Sequence, residues 1–412
     1  VATTIARRRL ALYALFFIPG VGIASWVTRT PAVRNLLEAS TAEMGLVLFG
    51  LSVGSMLGIL CSGALVARFG ARPVIAVGTL ALITSLPTIG LGGALSLKLL
   101  VAAGLFLFGA GMGGGEIAMN VEGADVEKAI GRPFLPALHG YFSLGTVVGA
   151  VAGIVFTATE FSVVWHLVII GVLTLFLFLL AMRAIPDGTG RVPRRERRGE
   201  VARSGPALWK DSRLLLIGVI VLAMALAEGT ANDWLPLVMV DGHGFDPALG
   251  STVYAAFAAS MTVGRFVGGR IIERVGRAKV LAGSAVFGAV GLALVAFVDN
   301  QVVAAAAVVF WGLGASLGFP VALSAAGDSG PDSAARVSLV ATVGYVAFLV
   351  GPPVLGFLGE EYGLRGALVV PLVFVAASSF LALRAVDTRD TKNADGAADA
   401  TDSNDADAVT AR

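Results

Sequence analysis

A short loop occurs twice in this chain, 206 positions apart, each copy joining two long apolar stretches. The first reads Gly63-Ala64-Leu65-Val66-Ala67-Arg68-Phe69-Gly70-Ala71-Arg72, the second Gly269-Arg270-Ile271-Ile272-Glu273-Arg274-Val275-Gly276-Arg277. Gly63 matches Gly269, Leu65 matches Ile271, Arg68 matches Arg274 and Gly70 matches Gly276. An offset of half of 412 residues demands two related halves. The correspondence continues beyond the loop. Phe108-Gly109-Ala110-Gly111 and Gly115 match Trp311-Gly312-Leu313-Gly314 and Gly318, and Gly140-Tyr141 matches Gly344-Tyr345. The matches fall in the same order and direction, so the halves are parallel repeats, a construction typical of secondary transporters.

Composition decides what the halves are made of. The chain is 56% hydrophobic and 14% charged, with a mean hydropathy of +0.85, which overrides the soluble domains that length alone suggests. A membrane-crossing helix needs about 20 mostly apolar residues. On that basis the expected fold is an all-α integral membrane protein of twelve spans: 9–30, 43–66, 74–94, 98–120, 138–158 and 162–183, then 212–238, 249–271, 280–298, 301–325, 336–358 and 365–385. Arg7-Arg8-Arg9 precedes the apolar run from Leu10 to Val27, which exceeds a signal-peptide core of about 7–15 residues and reads as the first span.

Basic residues orient the spans, because cytoplasmic loops collect Lys and Arg. With both termini inside, 25 of the 30 Lys and Arg fall on the cytoplasmic side. The predicted organisation is an N-terminal bundle over 1–183, a basic cytoplasmic linker over 184–211, a C-terminal bundle over 212–385 and a tail over 386–412. The linker cluster Arg194-Arg195-Glu196-Arg197-Arg198 suits an anionic lipid surface better than nucleic acid. The Ala/Asp-rich tail is expected to be disordered.

Other classes find little support. Cys61 is the only cysteine, and His139, His166 and His243 are scattered, so neither a disulfide nor a metal site is expected. No nucleophile–base arrangement, phosphate loop or ATPase motif stands out. The expectation is a monomer that is not an enzyme and has no cofactor, its partners being membrane lipid, a small solute and a proton as coupling ion.

Ionisable residues at membrane depth cost about 2.5–3.5 kcal/mol each on insertion scales, so each is a functional candidate. Glu116 follows Gly113-Gly114-Gly115, and Asn120 lies four residues on, on the same helix face. Glu228 and Asn232 repeat that spacing in the seventh span, followed by Asp233 and Trp234. Glu116, Glu228 and His139 are the candidates for proton coupling. Trp26, Arg29, Asn120, Asn232, Asp233, Trp234 and Trp311 are the candidates for substrate contact, with interface-anchor readings open for Trp26, Arg29, Asp233 and Trp234 and a core-packing reading for Trp311. Arg265, beside Gly264 and Phe266, either pairs with an acid and braces the inner gate or touches substrate.

Twelve spans in a 6+6 repeat, with the loop after the second span and again after the eighth, resemble the major facilitator superfamily. Gly115-Glu116-Ile117-Ala118-Met119-Asn120 is similar to the Glu/Asn motif of fucose and glucose/galactose permeases. Trp26-Val27-Thr28-Arg29-Thr30-Pro31-Ala32 and Asn232-Asp233-Trp234-Leu235-Pro236 resemble the MosC-like and YbjJ-like branch of bacterial inner-membrane permeases. The resemblance implies alternating access driven by an ion gradient. It also implies gating by the doubled loops through Gly63, Arg68, Gly70 and Arg72, and through Gly269, Glu273, Arg274, Gly276 and Arg277, with Arg265 nearby. Two departures stand out. Ala67 occupies a position where the family usually has an acid, which leaves more of the inner gate to Glu273 and Arg274. The first span offers Arg29 where fucose-type permeases have an acid.

Carboxylates, amides and Trp rings together favour a sugar, inositol or amino-polyol solute. Glu116 and Glu228 equally suit a cationic drug, and Gly145 to Gly153 loosely resembles an antiporter's Gly-rich motif, which keeps proton-driven efflux open. A non-transporting sensor on the same scaffold is a minor alternative.

Overall fold

The computed structural model describes residues 2–131, 134–192, 208–330 and 333–385. These form thirteen α-helices and, among the described residues, no strand. The first half comprises α1 (Ala2–Val27), α2 (Thr30–Leu36), α3 (Thr41–Phe69), α4 (Ala71–Ala94), α5 (Lys98–Ile130), α6 (Leu135–Ala158) and α7 (Val163–Ala181). The second comprises α8 (Ser212–Leu237), α9 (Pro247–Val275), α10 (Arg277–Phe297), α11 (Gln301–Gly327), α12 (Ser333–Ala367) and α13 (Val369–Ala385). Ten helices are long and apolar enough to cross a membrane. Of the rest, α2 is too short, α9 has the length but carries Arg265, Arg270, Glu273 and Arg274, and α13 is 17 residues long. A non-helical Gly363 at φ 75° breaks α12, so that Leu364–Ala367 leads into α13.

Two elements differ from expectation. The fourth span does not stop at 120 but continues as helix to Ile130. The acids Glu122 and Asp125 in this extension are neutralised. Arg8 donates to Glu122 Oε1 from Nε at 2.9 Å and from Nη2 at 2.6 Å, and to Asp125 at 2.7 Å. The chain after Val27 turns into the separate helix α2, which Pro31 helps to start because its fixed φ suits the first turn and its missing N–H is not needed there.

The duplication governs the packing. The first half pairs α1 with α6 and α7, α3 with α5, and α4 with α5 and α7. The second pairs α8 with α12 and α13, α9 with α11, and α10 with α11 and α13. Even the closest approaches recur. A Cβ added at Gly109 would strike the Leu51 carbonyl and lie 2.8 Å from Ser55 Oγ. One added at Gly312 would lie 2.7 Å from the Phe257 carbonyl and strike Ser260 Oγ. Membrane helices gain little from the hydrophobic effect against lipid, so such backbone-to-backbone contacts carry much of their association.

The doubled loop has one backbone solution. Gly70 has φ 90° and ψ 167°, and Gly276 has φ 83° and ψ 158°, angles open chiefly to glycine. Their fastenings differ. The chain after α7 clasps the first copy: Ala71 N donates to Thr189 O at 2.8 Å, Val192 N to Ala67 O at 3.0 Å, and Arg72 pairs with Asp187 at 2.8 Å. The second copy is held by Arg277 on Asp328. Glu273 and Arg274, expected to carry the inner gate, form no ion pair among the described residues, and Arg68 lies over the ring of Phe69. The first copy thus has more fastenings than the second, all of them within its own half. They come from a segment that the loop's own sequence does not contain.

The halves meet along α3 against α12 and α6 against α9. Among the described residues, every hydrogen bond or ion pair between them lies at the face opposite the doubled loops. Arg34 pairs with Asp241, Glu360 accepts from Thr41 N at 2.7 Å and Ala42 N at 3.2 Å, and Ser251 Oγ donates to Thr28 O at 3.0 Å. The basic cluster Arg194–Arg198 and the tail 386–412 lie outside the described residues.

Candidate functional site

A cavity of about 570 Å³ lies between the halves and is lined by α1, α3, α5 and α6 on one side and α8, α9 and α12 on the other. Among the described residues, two of its three carboxylates come from α8. Glu228 and Asn232, four apart, share a helix face, and Asp233 adjoins them; all three line the cavity. Gly229 lies among them because Phe348 leans on it: a Cβ there would come within 2.9 Å of the Phe348 ring.

Two contacts order this wall. Arg265 Nη2 donates to Glu228 Oε1 at 3.0 Å while its Nε reaches the Ser316 carbonyl at 3.5 Å. Tyr254 Oη donates to Asn232 Oδ1 at 3.3 Å. On the facing wall, Glu116 lines the cavity with no hydrogen bond or ion pair among the described residues. Asp233 is also unpartnered there, although only 8% exposed. His139 lines the part of the cavity towards the doubled loops, edge-on to Phe16 at 5.3 Å.

Of the residues expected at the site, Glu116, Glu228, His139, Asn232 and Asp233 come together around one space. Arg265 joins them there as the counter-ion of Glu228, away from the loop. Five substrate candidates do not line it. Trp26 is buried at 1% exposure. Arg29 donates to Thr157 Oγ1 at 3.0 Å and to the Phe161 carbonyl, tying the end of α1 to the turn between α6 and α7. Trp234 is buried at 1% with its Nε1 unpartnered. Trp311 is fully buried, donates from Nε1 to Ala227 O at 3.2 Å and meets Phe257 edge-on. Asn120 is half-buried outside the lining. Arg29 and Trp311 spend their polar groups on contacts between helices.

Sequence reasoning missed Tyr254, Tyr345 and the methionines Met56, Met112 and Met261, all of which line the cavity. Tyr254 offered a signal, a hydroxyl-bearing ring deep in an apolar span. The methionines offered none, since lipid-facing and cavity-facing apolar residues look alike in such a chain.

Two repeated helical bundles around one shared cavity with charged groups in its wall define a multi-pass membrane transporter. The sequence pattern of the Major Facilitator Superfamily matches residues 10–345, and the chain belongs to that superfamily. It is 32% identical over 369 residues to an uncharacterised MFS-type transporter of Yersinia pestis, covering 88% of this chain and 93% of that one. It is 26% identical to membrane protein MosC of Rhizobium meliloti over 89% of this chain and 88% of that one. Its fold matches the crystal structure of a mutant of the nucleoside transporter NupG with a TM-score of 0.75 at 15% identity, covering 92% of this chain and all of that one.

Proposed function

We propose that this protein is a proton-coupled secondary transporter of a small polar solute of the sugar, inositol or amino-polyol kind. It would work by alternating access as a monomer in the cytoplasmic membrane, with twelve spans, both termini inside, and bundles over 1–183 and 212–385. The observation that carries the reading is one cavity shared by both halves, with an unpartnered Glu116 on one wall and the Glu228–Arg265 pair on the other.

In this reading Glu116 takes up a proton, and Arg265, the one guanidinium in the cavity wall among the described residues, answers its change of charge. When the loop-bearing ends close on each other, Arg265 approaches the wall that bears Glu116. A carboxylate there competes with Glu228 for the guanidinium, whereas a carboxylic acid does not. His139 lies on the path from the loop-bearing face. The present arrangement, tied at the opposite face only, fits the inward-facing member of the cycle.

A pH gradient imposed on proteoliposomes tests this. Wild type accumulates solute down the proton gradient. Glu116→Gln loses that accumulation yet still exchanges labelled for unlabelled solute. If Glu116→Gln accumulates solute like wild type, the proton-carrier role is wrong. Proton-driven efflux of an organic cation is the second reading, favoured by the methionines and the aromatic rings of Phe16, Phe142 and Phe348 in the lining.

A further inference from the structure

The cavity wall is charged unevenly. It presents the carboxylates of Glu116, Glu228 and Asp233 against one guanidinium, Arg265. Arg265 is committed to Glu228 at 3.0 Å. Asp233 is 8% exposed and has no hydrogen bond or ion pair among the described residues. A buried polar group without a partner costs free energy, and an isolated charge costs far more, so this position is built for something the bundle does not supply.

Its surroundings say what that is. Asn232 Oδ1 is held in place by Tyr254 Oη at 3.3 Å, so an amide oxygen and a phenol oxygen stand on the wall that carries Asp233. An ammonium has three donors and no acceptor, and this wall offers three acceptors. Aromatic faces, which attract cations through their quadrupoles, line the same space at Phe16, Phe142, Tyr345 and Phe348.

We propose that the solute bears a protonated amine, and that its ammonium group binds Asp233 with Asn232 and Tyr254 as further acceptors. The assignment rests on the transporter reading and names the chemical class of its cargo. It separates two tasks: Asp233 holds the charged solute while Glu116 handles the proton, so both can be carried at once. A neutral polyol would leave Asp233 uncompensated, and an anion would be repelled by it. The body attached to the amine is either hydroxylated or apolar, since both kinds of side chain line the cavity.

The test uses the full-length protein in lipid nanodiscs and calorimetric titration with two pairs of probes. One pair is an aminocyclitol and its deaminated cyclitol; the other is a lipophilic primary amine and its N-acetyl derivative. At least one amine should bind ten-fold or more tighter than its neutral partner, and which pair does so identifies the body. Asp233→Asn should erase that ratio while leaving the neutral probe's affinity and the thermal unfolding midpoint near wild type, and Asp233→Glu should restore part of it. Equal binding within both pairs, no binding of either amine, or a ratio that survives in Asp233→Asn would overturn the proposal. Transport is scored separately by exchange in proteoliposomes. Exchange of neutral and amine probes alike sinks the amine assignment alone. Amine binding with no exchange of any probe sinks the transporter reading alone.

Discussion

Arg265 and Glu228 form a 3.0 Å ion pair between α9 and α8, inside the cavity and a full helical turn before the loop to which the neighbouring sequence assigns the arginine. The pair is partly solvated, with side-chain exposures of 40% and 15%. Its energetic weight therefore falls between that of a surface pair and a buried one, about 1–3 kcal/mol. Removing one partner should be worse than removing both. Arg265→Ala and Glu228→Ala should each lower the unfolding midpoint in detergent, and the double variant should recover part of the loss. Additive losses in a double-mutant cycle would mean that the contact carries no energy.

Asp211 governs an acid-sensitive joint at the start of α8. Its side chain accepts from Leu214 N at 3.1 Å as the helix cap and pairs with Arg336 of α12. The Arg336 hydrogen bond, and then the Leu214 N–H, hold its carboxyl below the usual carboxylate range. A depressed folded value stabilises the fold fully above the unfolded pKa of about 3.9, and that stabilisation is lost as pH falls through the folded value. Asp211→Ala should cost about 1–2 kcal/mol at pH 7. The gap to wild type should shrink as melting is followed into the acid range; a gap constant down to pH 2 would refute the linkage.

Two tryptophans separate packing from hydrogen bonding. Trp311 donates to Ala227 O, whereas Trp234 is equally buried with its N–H unpartnered. Replacing either by Phe removes the same atoms. Trp311→Phe should therefore be the more destabilising by about 1 kcal/mol, the worth of one internal hydrogen bond. Neither substitution should alter solute affinity, since neither ring lines the cavity. Paired melting curves and titrations check both statements.

The seam between α3 and α12 depends on absent side chains. A Cβ at Gly45 would lie 2.8 Å from the Pro352 carbonyl and 3.0 Å from Gly356 Cα. Gly45→Val should force the tied face apart while leaving each bundle folded. With Cys61→Ser as background, maleimide labelling of a cysteine introduced at Ser251, now buried on Thr28 O, should speed up about ten-fold, a shift of about 1.4 kcal/mol. Unchanged labelling would show that the seam does not set the resting state.

The sequence made the scaffold legible because its signals were of kinds that packing cannot imitate. A glycine forced to positive φ recurs at Gly70 and Gly276, and a charge within an apolar run is too costly to be casual, which is how Glu116 and Glu228 were found. Bulk and aromaticity were poor guides. Trp26, Trp234 and Trp311 turn inward to pack, while the methionines that line the cavity sit among dozens of apolar residues with the same pattern. Length misled once, at α5, because the arginine that neutralises Glu122 and Asp125 lies more than a hundred residues away at Arg8.

The matched contacts at Gly109 and Gly312 have a mechanical consequence. Where helices approach this closely, little side-chain freedom is left to absorb displacement, so each half is stiff and deforms little within itself. Compliance is then concentrated at the seams between the halves. A push on one wall of the cavity is therefore not taken up residue by residue: it displaces the whole half at once, as a lever does.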